Sequence, residues 1–156
     1  MRIARDGTWF YHGSPIGRKQ LVKLFSTVLR RDSAGDFWLE TPVEKCRIQV
    51  EDAPYVAVEM WGEGGGVNQR LEFRTNVDDN VIAGPENPIR VEIDSDSGEP
   101  SPYVLVREGL DALIARAVFY DLVELAVVEE RDGETQFGVW SSGVFFPLGD
   151  PGEIIE

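Results

Sequence analysis

Apolar and polar positions alternate along most of this chain and fall into helical spacing in two stretches. Alternation predicts strands, because successive side chains of a strand point to opposite faces. The alternating or aromatic runs cover 7–13, closed by Gly13; 37–41; 43–50, with Cys46, Ile48 and Val50 on one face; and 55–61, with Val56, Val58 and Met60 together. They continue over 71–75, with Leu71, Phe73 and Thr75 together, then 89–93, 103–106, 127–130, 136–141 and 144–148. Leu21, Leu24, Phe25 and Val28 predict a helix over 15–31, with Ser14 as N-cap and Pro15 at its first position. Leu110, Leu113, Ile114, Ala117, Val118, Leu122 and Leu125 predict a second helix over 110–126. Asp132-Gly133 reads as a hairpin turn, residues 94–102 as a polar loop, and the Gly149-Asp150-Pro151-Gly152 tail as a frayed end.

The two ends of the chain share one order. Strand, Gly13, helix, a turn containing Gly35 and a strand at Phe37 match strand, Gly109, helix, the Gly133 turn and a strand at Phe137. A duplicated unit accounts for this, and so does chance recurrence of strand, helix and hairpin. The expected fold class is α+β, built as two small, closely packed lobes over 1–80 and 81–156. A duplicated unit packs face to face, which creates a cleft between its copies.

Charge narrows the partners. The chain has 156 residues, with 15 Lys and Arg against 28 Asp and Glu, a net charge of −13. Residues 1–52 carry +2, whereas 53–100 carry −7 and 101–156 carry −8. This field repels nucleic acid and anionic bilayers, so neither is expected as a partner. A small anion remains open, because a pocket needs only one or two local cations. No run of about 18 apolar residues is present, and the first residues lack the apolar core of a signal peptide, so a cytoplasmic location is expected. The single cysteine excludes an internal disulfide, and the single histidine excludes a histidine-rich metal site. No metal or cofactor is implied.

Motifs add little chemistry. Glycines 62–66 sit between two strands and are not followed by the helix or Lys-Ser/Thr that a phosphate cradle needs. Asp94-Ser95-Asp96-Ser97-Gly98 lacks glycine at the sixth position and glutamate at the twelfth of a calcium loop, so it reads as a solvated turn. His12 reads as a hydrogen-bonded structural histidine, and Cys46 as a buried, inert thiol. Arg116 and Tyr120, spaced i, i+4, share one side of the second helix, and Arg107 ends the strand before it. With Ser141 on the hairpin, and Arg18 or Lys45 from the first lobe, these residues form a candidate anion site, because guanidinium forks match carboxylate and phosphate oxygens. The alternative is that Arg107 and Arg116 pair with Glu108, Asp111 or Glu124.

Several stretches together resemble the bacterial DUF1285 family. They include Asp6-Gly7-Thr8-Trp9, His12-Gly13-Ser14-Pro15-Ile16, Leu21-Val22-Lys23-Leu24-Phe25 and Thr41-Pro42-Val43-Glu44-Lys45. Phe73-Arg74-Thr75-Asn76, the stretch Pro102 to Leu110, Arg116, Phe119-Tyr120 and Gly138 to Gly143 continue the match over nearly the whole chain. The resemblance implies a duplicated core of two α+β lobes, the second superficially like a pleckstrin-homology fold. It implies a ligand-binding or signalling protein with a nucleotide-like ligand at the lobe interface, and no established enzyme activity. Two other functions stand beside it: a hydrolase or transferase around His12, Ser14 and Asp6, or a protein-interaction module using an exposed aromatic patch or strand edge.

Overall fold

Strand β1 (Arg2–Ile3) lies parallel to β6 (Lys45–Val50), and this one contact joins two meanders into the first sheet. Between them come β2 (Trp9–Tyr11), β3 (Ser14–Pro15), helix α1 (Lys19–Thr27), β4 (Leu29–Arg31) and β5 (Phe37–Glu40). The sheet order is β3-β2-β1-β6-β5-β4. Its inner face is Ile3, Trp9, Leu29, Leu39 and Ile48, all buried, and Phe25 of α1 stacks on Trp9 with ring centroids 6.2 Å apart. This is a computed structural model, and it describes residues 1–149.

The remaining strands are β7 (Tyr55–Glu63), β8 (Arg70–Thr75), β9 (Asn80–Ile82), β10 (Ile89–Ile93), β11 (Pro100–Arg107), β12 (Leu110–Ile114), β13 (Val127–Arg131), β14 (Glu134–Ser141) and β15 (Val144–Gly149), with helix α2 (Arg116–Glu124) after β12. The second sheet runs β10-β11-β12-β7-β8-β9 and is again closed by a parallel contact, β12 on β7. It takes β7 and β8 from before residue 80 and β10, β11 and β12 from after it, so its hydrogen bonding runs straight across that position. The third sheet, β13-β14-β15, packs on β8 and β10. The molecule is α+β, with three strands, a helix and three strands occurring once from β1 to β6 and again from β10 to β15.

Both helices are shorter than their apolar spacing predicts. Ser14 and Pro15 are not the start of α1. They form β3, paired with Tyr11 and Phe10, and the N-cap is Arg18. Leu110, Ala112 and Ile114 are buried at every second position of β12, so the leucines that fit a helical wheel belong to a strand. Arg30 and Arg31 lie in β4 rather than in the last helical turn.

On β7 the predicted face of Val56, Val58 and Met60 is broken: Val56 is buried and Met60 packs against the core, but Val58 between them does not. Tyr55 and Ala57 point inward, a bulge lies between Ala57 and Glu59, and Val58 is exposed. Cys46, predicted buried, is exposed at the start of β6. Strand β9 falls between the alternating runs at 71–75 and 89–93, where no strand is predicted. The Leu71, Phe73, Thr75 face and the Asp132-Gly133 hairpin are as predicted. Asp132 and Gly133 both have positive φ, the turn geometry that matches strand twist. The expected frayed tail lies, after Gly149, outside the described residues.

The halves are bound through polar side chains as well as through the core. Asp78 receives Lys19 and Lys23 of α1 at 3.1 and 3.4 Å and Arg74 of β8 at 2.8 Å. The hydrogen bond from Lys19, the largest influence, holds the Asp78 carboxyl below the ordinary carboxylate range. Asn76 accepts from Val56 N–H at 3.0 Å and donates to the carbonyl of Gly7 at 3.2 Å.

Candidate functional site

Arg116 opens α2, and Tyr120 follows one turn later on the same side. Arg116 Nε donates to the Tyr120 hydroxyl at 3.0 Å. Both line a cleft of about 420 Å³. One wall is Leu113, Ile114, Ala115, Phe119 and the α2 N-terminus. The other is Ser97 to Glu99, leading into Pro100, Ser101 and Pro102 of β11. The α2 N-terminus has no side-chain cap and no acidic residue in its first turn, so its first N–H groups and the positive end of its dipole favour an anion.

A second cation enters from the first sheet. Arg5 sits in the turn after β1 and lines the same cleft. Its position is fixed by residues brought close through the β1–β6 pairing: Arg5 N–H donates to Glu51 at 3.0 Å, and Arg5 Nε pairs with Asp52 at 3.3 Å. Asp52 in turn accepts the Tyr103 hydroxyl of β11 at 2.6 Å. Arg90 packs over the Tyr103 ring and pairs with Asp111 at 2.8 Å. The Asp52 contact therefore ties the first sheet to β11 where Arg5 emerges.

Burial, and next the Asp52 hydrogen bond, push the Tyr103 hydroxyl from its ordinary value of 10.0 up to about 12. The unfolded chain then releases this proton before the folded one does. Stability from this group is complete below pH 10 and is lost as pH rises from 10 towards 12. Tyr103→Phe is expected to flatten that alkaline loss, read as the thermal midpoint against pH. Parallel curves for the two proteins over this range would show that the Tyr103 hydroxyl is not held this way.

The residues singled out in the sequence do not form one site. Arg116 and Tyr120 stand together in the cleft. Arg107 is turned instead towards α1, where Nη2 donates to the Ser26 carbonyl and to the Tyr55 hydroxyl, the latter at 2.9 Å. It pairs with none of the acids weighed for it, and Asp111 is held by Arg90. Ser141 is buried, with its hydroxyl between Leu71 N–H and the Ala83 carbonyl. Lys45 lies 4.5 Å over the Trp38 ring. Arg18 is the exposed N-cap of α1. None of these four lines the cleft. Arg5 was missed, since in sequence it lies 111 residues from Arg116 and nothing near it marks a site.

The His12 alternative finds no constellation among the described residues. His12 has φ of 49° in the turn between β2 and β3 and meets Tyr11 edge-on at 4.1 Å. No hydrogen bond joins it to Ser14 or to Asp6, whose carboxylate accepts from Thr8 N–H at 2.9 Å. The Asp94 carboxylate accepts from the N–H groups of Asp96 and Ser97, which makes that stretch a self-capped turn. No group of three potential metal ligands occurs among the described residues, and no helix there is long and apolar enough to cross a membrane.

Comparison with known proteins places the chain in a family. Residues 1–53 match the DUF1285 N-terminal domain, described as a domain of unknown function, and residues 54–148 match the DUF1285 C-terminal domain of a protein of unknown function. The chain belongs to the DUF1285 family. A crystal structure of a DUF1285 family protein from Silicibacter pomeroyi DSS-3 is 52% identical, with a TM-score of 0.91, over all of this chain and 82% of that one. One from Shewanella baltica OS155 is 27% identical, with a TM-score of 0.60, over 79% and 89% of the two chains. Meiotic sister-chromatid recombination protein 6, mitochondrial, of Eremothecium gossypii is 29% identical over 82 residues, half of this chain but 12% of that protein.

Proposed function

We propose that this DUF1285 protein is a cytoplasmic, non-enzymatic ligand-binding or regulatory protein that takes a small anion, nucleotide-like in the broadest case, in the cleft between the start of β11 and α2 that Arg5 enters from the first sheet, and passes the bound state to a signalling partner. We read the recurring order of elements as a duplicated unit, its second copy superficially like a pleckstrin-homology fold. The observation that carries the functional reading is the pairing of Arg5 with Arg116 across one cleft. Each guanidinium is held through Nε, to Asp52 and to Tyr120 respectively, and among the described residues the terminal nitrogens of both have no partner. A guanidinium fixed in this way presents its outer fork to an oxyanion with little further loss of side-chain freedom. The uncapped α2 N-terminus adds donors on the same wall.

The test is a thermal-shift screen with nucleotides and other small anions, followed by calorimetric titration. A ligand at 100 times its dissociation constant stabilises by about 2.7 kcal/mol. Arg116→Ala is expected to weaken binding at least tenfold and to leave the thermal midpoint unchanged, because Arg116 is exposed and, among the described residues, bonded only within its own helix. Arg5→Ala is expected to weaken it similarly. Equal affinity of wild type and Arg116→Ala would remove the cleft from consideration.

A further inference from the structure

The cleft holds an unpaired charge of each sign. Arg5 is neutralised by Asp52, but Arg116 has no carboxylate partner among the described residues. Glu99, at the mouth where the loop enters β11, lines the same cleft. Among the described residues its carboxylate has neither an ion pair nor a side-chain hydrogen bond, and its backbone N–H is taken by Ser97 Oγ at 3.2 Å. Glu99 therefore shares the cleft with Arg5 and Arg116 and is paired with neither. Of the charged residues that line the cleft, Arg5 is paired with Asp52, which leaves Arg116 and Glu99 as opposite charges, so a polyphosphate placed there would meet a carboxylate as well. A ligand with one negative and one positive group meets complementary charge at both ends. The same lining also holds the apolar Pro100, Pro102, Ile114 and Phe119, of which Pro102, Ile114 and Phe119 are buried.

We infer that the cleft takes a zwitterion of the amino-acid type with an apolar side chain. Its carboxylate lies against Arg116 and the α2 N-terminus, its ammonium against Glu99, and its side chain over the proline and phenylalanine surface. This rests on the reading of the cleft as a ligand site and narrows its anion to a carboxylate paired with an amine.

The experiment is calorimetric titration of the full chain with phenylalanine, phenylpropionate, which lacks the amine, phenethylamine, which lacks the carboxylate, and adenosine monophosphate. Phenylalanine is expected to bind at least tenfold more tightly than either truncated compound. Glu99→Gln should erase its advantage over phenylpropionate without weakening phenylpropionate itself, and Arg116→Ala should weaken both carboxylates. Both side chains are exposed, so unchanged thermal midpoints show that the variants are folded. Absence of phenylalanine binding at millimolar concentration, equal affinity for phenylpropionate, or an advantage that survives Glu99→Gln overturns the inference. Nucleotide binding that depends on Arg116, without phenylalanine binding, overturns it while leaving the anion cleft standing. Binding of every compound that is indifferent to Arg116→Ala removes the cleft itself.

Discussion

Gly138→Ala is expected to destabilise the chain by about 3 kcal/mol or more, among the largest effects of any single methyl group added to it. Gly138 lies in β14 at a register shift, where the pairing with β15 slips between Phe137 and Gly138. A Cβ there would lie 2.3 Å from the Phe146 carbonyl oxygen and 2.8 Å from Phe145 Cζ. The nearer atom is backbone, so it cannot be relieved by a rotamer change. Relief requires β14 and β15 to separate, which uncovers Val139, Phe146 and Leu148, all buried. Gly65→Ala is the control: its added Cβ meets nothing within 4 Å and its φ of −153° suits any residue. Urea unfolding should show a much lower midpoint for Gly138→Ala and little change for Gly65→Ala. A Gly138→Ala unfolding free energy within about 0.5 kcal/mol of wild type would mean that the two strands are not in this register.

What was legible in the sequence was whatever local periodicity decides. Leu71, Phe73 and Thr75 are buried on one face because nothing competes with a two-residue repeat there. Asp132-Gly133 turns because few other pairs accept two positive φ values. The failures lie where two periods fit the same residues. Leu110, Leu113 and Ile114 satisfy a helical wheel, yet the parallel pairing of β12 with β7 makes Leu110, Ala112 and Ile114 the inward set. Ser14-Pro15 has the composition of a helix start, but the turn at His12 and Gly13 folds it back onto Phe10 and Tyr11. That long-range pairing prevails over local preference is expected for such short elements.

The site divides the same way. Arg116 and Tyr120 were legible because i, i+4 spacing brings them together whatever the tertiary fold. Arg5 was not, because its position depends on the β1–β6 contact, on Asp52 and on Tyr103, which are far apart in sequence. Arg107 points to an interface as expected, but it satisfies the end of α1 rather than a ligand. Its guanidinium donates to the Ser26 carbonyl and the Tyr55 hydroxyl, and that hydroxyl itself donates to the same carbonyl at 3.4 Å.

Ser141→Ala separates a residue of the fold from a residue of the site, and it is expected to lower stability by about 2–5 kcal/mol. The Ser141 hydroxyl accepts from Leu71 N–H at 2.9 Å and donates to the Ala83 carbonyl at 2.7 Å. Leu71, Ala83 and Ser141 are all fully buried, at 0% exposure. One oxygen thus completes the backbone of β8 and of the segment after β9 while belonging to β14, and so links the second sheet to the third. Neighbouring bonds share the seam: Gln69 donates to the Trp140 carbonyl at 3.0 Å, and Ser142 N–H donates to the Gln69 carbonyl at 3.0 Å. Alanine removes the bridge but not the burial, leaving one donor and one acceptor without partners or water, each at about 1–3 kcal/mol. The urea midpoint should fall with the slope unchanged, since the surface exposed on unfolding is the same. Ligand affinity, measured where the variant is still folded, should match wild type, the reverse of Arg116→Ala. A Ser141→Ala protein of wild-type stability with weakened ligand binding would return Ser141 to the site and refute the buried bridge.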